Sequence, residues 1–227
     1  MDIAVIADIH SNLEALEVVL ERVKGYKILC LGDLVGYGAN PNEVIEIIKE
    51  KNITCIMGNH DYAVSTGDYY DLSPKAVIAA NWTRKVLKKE NLRFLSSLPK
   101  VLRLEEGGKK LLLAHATPEE PIFGDYIHPD TEPFKFSYYA TEYEEDIIGL
   151  GHLHVPYVYR RFDKIIVNPG SVGQPRDGNT LAKYSILNLD NMNVEILGVK
   201  YDSELSAKKI IEANLPPIFA TRLLKGF

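Results

Sequence analysis

Residues 1–61 read MDIAVIADIHSNLEALEVVLERVKGYKILCLGDLVGYGANPNEVIEIIKEKNITCIMGNHD. Three short runs rich in Leu and β-branched residues stand out: Ile3–Ala7, Lys27–Leu31 and Ile53–Met57. Between them lie stretches of helical spacing. Asn12–Lys24 carries Leu13, Leu16, Val19, Leu20 and Val23, and Asn42–Lys51 carries Val44, Ile47 and Ile48, with Pro41 suited to a helix start. Alternating strand and helix predicts a βαβαβ unit with parallel, buried strands. Ligands gather beyond the carboxyl ends of such strands. Each run ends in a polar cluster there: Asp8-Ile9-His10, Gly32-Asp33 and Gly58-Asn59-His60-Asp61.

Outward from this unit, the pattern predicts a helix over Leu72–Lys89, opening near Ser73-Pro74, and a shorter one over Leu92–Leu98. Val101–Leu104 and Lys110–Ala114 read as strands around a Glu-Gly-Gly turn. Thr117–Pro133 holds four prolines and little periodicity, which predicts a loop or lid. A helix follows over Glu132–Glu144, then strands over Ile147–Leu150 and Ile165–Val167. Leu181–Asn188 and Asn193–Val199 form a hairpin across Asp190-Asn191. The tail from Ser203 reads as a helix, with another after Pro216-Pro217. No repeat or linker interrupts the chain, so a single domain over 1–227 is expected, with a C-terminal hairpin and helices (about 177–227) packed on it.

The chain has 227 residues and a net charge of −5. No apolar run approaches the ~20 residues of a membrane span. The N-terminus shows no basic region or cleavage site, so a cytoplasmic protein is expected. A stable nucleic-acid partner is disfavoured, because phosphate contacts come from Lys and Arg. A small phosphate compound is not, since bound cations reverse the local sign. Cys30 and Cys55 lie inside apolar runs without zinc-finger spacing and read as reduced core thiols.

Five of the six histidines fall in or beside the clusters; only His128 lies outside. Asp8 and His10 would face the same way at an extended strand end and could share one ion; a helix cap around Ser11-Asn12 is the structural alternative. Asp33 could cap a loop, or bridge two ions through its two oxygens. The Asn59 carbonyl oxygen suits a hard divalent ion. Asp61 could orient the imidazole of His60, and a plain turn would also explain the cluster. His115 ends a strand and by itself reads as core. Gly151-His152-Leu153-His154 repeats the alternate-residue spacing after Ile147–Leu150. Asn168-Pro169-Gly170-Ser171 reads as a tight turn behind the site. Two Asp, one Asn and four His exceed the needs of one metal and suit two adjacent divalent ions sharing a carboxylate.

The ordered set Asp-x-His, Gly-Asp, Gly-Asn-His-Asp, His, Gly-His-x-His resembles the calcineurin-like metallophosphoesterase superfamily, specifically its small prokaryotic phosphodiesterase-type members. The match runs from Asp8 to His154, and Asn168–Arg176 extends it. The resemblance implies an α/β fold, a four-layer αββα sandwich with mixed sheets and two metals at one edge. It implies Asp8, His10, Asp33 and His154 on one metal, and Asp33, Asn59, His115 and His152 on the other. His60 would act beside the metals, paired with Asp61. The implied activity is hydrolysis of a small phosphate ester, most simply a diester, by in-line attack of a hydroxide bridging the metals. Manganese is expected, with Fe, Zn, Ni or Co as alternatives. A phosphomonoesterase, a dinucleoside polyphosphate hydrolase, a nuclease and a non-enzymatic binding scaffold of the same fold are the rivals; the presence of both His60 and Asp61 counts against the scaffold. The protein Ser/Thr phosphatase branch carries an arginine after its Gly-Asp motif. Tyr37 stands near that place here, so Tyr37 and Arg176 are the candidate substrate contacts. Phe123, Tyr126 and His128 of the lid could shape a pocket, a structural cover or a subunit contact. The apolar faces of the C-terminal helices leave homo-oligomerisation open.

Overall fold

Alternate residues of the first strand enter different layers. In β1 (Asp2–Ile6), Ile3 and Val5 point into one apolar cluster, while Ala4 and Ile6 point into another on the opposite face. The computed structural model describes residues 1–70 and 72–227. It continues with α1 (Leu13–Arg22), β2 (Lys27–Cys30), α2 (Pro41–Glu50), β3 (Thr54–Cys55), α3 (Asn59–Thr66), α4 (Pro74–Val86) and α5 (Lys89–Ser97). The middle of the chain forms β4 (Val101–Glu106), β5 (Lys109–Ala114), α6 (Pro133–Glu142), β6 (Ile147–Gly149), β7 (Tyr157–Arg161) and β8 (Lys164–Asn168). Last come β9 (Ala182–Asn188), β10 (Asn193–Val199), α7 (Ser203–Glu212) and α8 (Pro217–Lys225).

The strands form two five-stranded mixed sheets, ordered β10-β9-β1-β2-β3 and β4-β5-β6-β8-β7. β1, β2 and β3 run parallel, as do β5, β6 and β8; antiparallel strands flank both groups. The sheets face each other through Ile3, Val5, Leu29, Leu31, Leu111, Leu113 and Val167. On the outer face of the first sheet, Leu16 and Val19 of α1 and Val44 and Ile48 of α2 pack on Ala4, Ile6 and Cys30. On the outer face of the second, Phe136 and Tyr139 of α6 cover Leu112, Ile148 and Ile166. The layers therefore run αββα, as expected. Burying both faces of every central strand is what makes their sequences nearly all apolar.

Four details differ from the sequence reading. β3 is two residues long, because the Met57 amide leaves the sheet and donates to the Pro99 carbonyl at 2.8 Å. Helix α3 begins inside the Gly58–Asp61 cluster; it is short and weakly amphipathic, so periodicity does not announce it. β7 is an edge strand whose last two residues, Arg160 and Arg161, are exposed, which hides the apolar pattern. The C-terminal hairpin supplies two of the five strands of the first sheet, since β9 pairs directly with β1, rather than forming a unit packed on it. Cys30 and Cys55 are register partners across β2 and β3, buried and free. Among the described residues no helix is long and apolar enough to cross a membrane.

Candidate metal centre

The loops after β1, β2 and β6 do not continue as extended chain, as the alternate-residue reading assumed. Asp8, His10, Asp33, His152 and His154 have φ of 54°, 48°, 54°, 67° and 62°. This left-handed region costs an L-residue about 1–2 kcal/mol. Backbone bonds between distant loops hold it: the amides of Asp8, His10 and Ser11 donate to the carbonyls of Gly32, Asp33 and Leu34 at 3.0, 2.9 and 2.9 Å. Strain of this kind gathers where side chains are aimed at a ligand. The side chains at i and i+2 converge because each backbone turns, not because a pleat aligns them.

Behind the loops, the Ser171 hydroxyl donates to the Asp8 carbonyl at 2.8 Å and Asn168 Nδ2 to the Gly151 carbonyl at 2.6 Å. The Asn168–Ser171 stretch is thus the expected turn backing the site. Asn12 also caps α1, accepting from the Ala15 amide at 3.2 Å. Gly58 is required by crowding: a Cβ there would strike Asp33 Oδ1.

One ligand atom each from Asp8, His10, Asp33 and His154 lies within 4.8 Å of all the others, and all four residues are buried. Asp8 Oδ1 stands 3.4 Å from His154 Nε2 and 3.8 Å from His10 Nε2. Asp33 Oδ2 stands 3.6 Å from His10 Nε2 and 3.4 Å from His115 Nε2, so it faces both halves of the site. On the second half, Asn59 Oδ1 is 3.2 Å from His115 Nε2, and the His152 ring meets the His115 ring with centroids 5.1 Å apart. The His152 amide donates to Asp8 Oδ2 at 3.1 Å.

The tautomers decide what this nest can hold. Nδ1 of His10, His115 and His154 donates to the carbonyls of Val35, Leu31 and Gln174 at 3.0, 2.7 and 2.6 Å. Nε2 of His10 and His154 then carries a lone pair aimed inward, as metal-binding imidazoles require, and Nε2 of His115 does so once it gives up its proton. His10 Nε2 and His154 Nε2 are 3.0 Å apart. Two lone pairs at that distance repel, and a cation relieves them. Asp8 Oδ1, buried and without a hydrogen-bond donor, is a further ligand atom waiting for one. The donor set of imidazole, carboxylate and amide oxygen suits divalent transition metals.

Charges agree. Burial keeps His10 and His154 well below the ordinary histidine range and His152 down to about 3, so all three are neutral. Burial also pushes the Asp8 carboxyl up to about 8. Burial would lower His115, but Asp33 and Asp8 beside it outweigh that and raise it to about 10. Burial acts upward on Asp33, yet His115 and the other histidines hold it well below the carboxylate range. Without metal, a proton on His115 compensates the two carboxylates in part; a divalent ion does so more fully.

Residues 1–192 match the sequence model of the Calcineurin-like phosphoesterase superfamily domain. The chain belongs to that superfamily. It is 43% identical to the uncharacterized protein MJ0912 of Methanocaldococcus jannaschii, over 99% of this chain and 98% of that one. A metallophosphoesterase from Sphaerobacter thermophilus superposes with a TM-score of 0.84 at 32% identity, covering 100% of this chain and 99% of that one. Phosphodiesterase YfcE of Escherichia coli is 25% identical over 83% of this chain and 88% of its own length.

Around this nest, the other candidates fall into two groups. His60 and Tyr37 are joined, Nε2 to hydroxyl, at 3.0 Å, and Arg176 Nη2 reaches the same hydroxyl at 3.4 Å. Burial drives His60 down to about 4 and Tyr37 up to about 12. Asp61 does not pair with His60. Its Oδ1 and Oδ2 accept from the amides of Val35 and Gly58, both at 3.1 Å, while His60 Nδ1 has no hydrogen-bond partner. Sitting in the first turn of α3, Asp61 points back at the loops and ties the Asp33 loop to the Asn59 loop. In this geometry Asp61 braces the loops, and the expected imidazole–carboxylate hydrogen bond is not formed.

Of the three lid residues, Tyr126 alone reaches the centre. Its ring stacks on His152 with centroids 4.1 Å apart and planes at 12°. Phe123 packs on Tyr62, and His128 faces Asp130 and Tyr157. Sequence reasoning missed Gln174, which accepts from Arg176, and Arg222, which reaches the same Gln174 oxygen. Arg222 belongs to an amphipathic tail helix, and nothing local distinguishes it from a solvated arginine.

Proposed function

We propose that this metallophosphoesterase is a phosphodiesterase acting on a small diester, with water as the nucleophile. Asp8, His10, Asp33 and His154 would hold one divalent ion, and Asp33, Asn59, His115 and His152 a second, with Asp33 shared. The ions supply Lewis acidity and lower the pKa of the attacking water. Manganese is our first choice, with Fe, Zn, Ni or Co as alternatives, because nitrogen and oxygen donors are mixed.

The observation that carries this reading is the buried nest of inward lone pairs beside the His60–Tyr37–Arg176 edge. That edge supplies three hydrogen-bonding groups on one side of the nest, suited to a phosphoryl group that is already esterified twice. His60, neutral in its buried place, can donate to a phosphoryl oxygen; an anionic group beside it raises its pKa and favours proton delivery to the leaving oxygen. Arg176 offers a planar fork for non-bridging oxygens. The ligands are buried beneath the lid, with Tyr126 stacked on His152, which favours a small ester over a polymer. The similarity to phosphodiesterase YfcE supports the diester preference.

The test is turnover of bis(p-nitrophenyl) phosphate with added manganese, against p-nitrophenyl phosphate. Turnover of the diester that a chelator abolishes is the expected result. Preference for the monoester would point to a phosphomonoesterase. No turnover of either ester with any of the five metals would favour a binding scaffold.

A further inference from the structure

Two arginines from distant parts of the chain meet at the edge of the metal centre. Arg176 lies in the loop before β9; Arg222 lies on α8, beyond residue 192 where the superfamily match ends. Both reach one oxygen, Gln174 Oε1, at 3.2 Å from Arg176 Nη2 and 3.5 Å from Arg222 Nη1. Gln174 itself is 1% exposed. Asp177 pairs with Lys183 at 3.0 Å and Glu14 pairs with Lys209, while Asp8, on which the charge of Arg176 acts, is a candidate metal ligand. Among the described residues, Nε of both arginines and Nε2 of Gln174 are buried without hydrogen-bond partners. Two guanidinium groups at one acceptor, with donors unspent, are poorly compensated in a protein of net charge −5. An anion between them would satisfy both.

The two arginines face different neighbours. The charge of Arg176 acts on Asp8, His10, His60 and His154, the residues of the centre. Arg222 feels Arg176, Tyr37 and Tyr126. In the geometry, Arg176 Nη2 reaches the Tyr37 hydroxyl that His60 also touches, at 3.4 Å, whereas Arg222 Nη1 reaches Gln174 Oε1 at 3.5 Å, so Arg176 is the arginine that joins the His60 edge and Arg222 stands beside it.

We propose that Arg176 reaches from the cleaved phosphoryl group to a second phosphate of the substrate, one that is not cleaved, and that Arg222 holds this second phosphate from its other side. The substrate is then a phosphate ester carrying an additional phosphate, gripped by paired planar forks. This rests on the phosphodiesterase reading for the cleaved group only.

Two esters that differ in one group test it: thymidine 5′-(p-nitrophenyl phosphate) with and without a 3′-phosphate. The wild-type protein should favour the 3′-phosphorylated ester in kcat/KM. Arg222→Gln should cut that preference by about tenfold to a hundredfold, the range for a hydrogen bond to a charged group, and Arg222→Lys should restore part of it. Calorimetry on the metal-free protein supplies a readout independent of turnover: inorganic pyrophosphate should bind, and about tenfold more weakly to Arg222→Gln. Equal kcat/KM for the two esters in the wild type, or pyrophosphate binding that Arg222→Gln leaves unaltered, overturns the subsite. If neither ester is hydrolysed, the phosphodiesterase reading falls, and the calorimetric comparison still decides the subsite.

Discussion

His10 Nε2 and His154 Nε2 face each other at 3.0 Å although 144 positions separate them in the chain. Backbone carbonyls occupy Nδ1 of both rings, so neither ring can turn its lone pair away without losing a hydrogen bond. Adding manganese should therefore stabilise the fold. At a hundred times the dissociation constant, the gain is about 2.7 kcal/mol, or about 5–10 °C in Tm for a chain of this size. Differential scanning fluorimetry with and without a chelator measures it, and an unchanged Tm across the five metals would sink the metal nest.

Asp33 Oδ2 faces His10 on one side and His115 on the other. Asp33→Asn removes a charge from both halves of the site. Metal content by mass spectrometry and diester turnover should fall together. Two metals retained with turnover lost would mean that Asp33 is not the shared ligand.

His60 Nε2 touches the Tyr37 hydroxyl, and His60 is not one of the four residues whose ligand atoms cluster, although its amide donates to Asp33 Oδ1 at 2.8 Å. His60→Ala should retain the metals and lower kcat by roughly 10²–10⁴. A His60→Ala protein that binds no metal would contradict that assignment.

Asp61 ties two loops through the amides of Val35 and Gly58. Asp61→Ala leaves both buried N–H groups without an acceptor, at about 1–3 kcal/mol for each. Urea denaturation should show the loss, and Asp61→Asn, which keeps one oxygen, should lose less. A stable Asp61→Ala protein with defective catalysis would instead restore Asp61 to a chemical role.

Metal binding should strengthen as pH rises from 6 to 8. Burial raises Asp8 to about 8, and His115 is raised to about 10 once Asp33 and Asp8 outweigh its burial. Both must release a proton to become ligands, so affinity follows deprotonation. For the metal-free fold the sign is opposite. A carboxyl raised above its unfolded value stabilises fully at low pH, and the contribution fades as pH climbs through the folded value. Asp61, raised by burial and Asp33 to about 7, acts in the same direction. Thermal melts of the metal-free protein across this window should decline, while the gain from manganese should grow.

The βαβαβ start was legible because each element is written in a local period. Ile3, Val5 and Ala7 alternate with Ala4 and Ile6, and Leu16, Val19 and Leu20 recur at helical spacing. The metal cluster was legible because its members are chemically unusual residue types placed directly after strands. The hydrogen-bonded pair of Asp61 and His60 was expected because the two are adjacent, while the turn of α3 directs the two side chains to different partners. Edge strand β7 and helix α3 lacked the amphipathic period that marks their neighbours.

By itself the sequence determined the alternation of strands and helices and the roster of polar residues at the strand ends, since these depend on residue type and short spacing, while the αββα layering was implied by the resemblance to the superfamily. Tertiary structure alone decided that His154 meets His10, that Asp61 serves the backbone and that Arg222 from the last helix stands beside Arg176. Those relationships arise when distant segments pack, and the free energy that fixes them comes from contacts between layers, which no local stretch of chain contains.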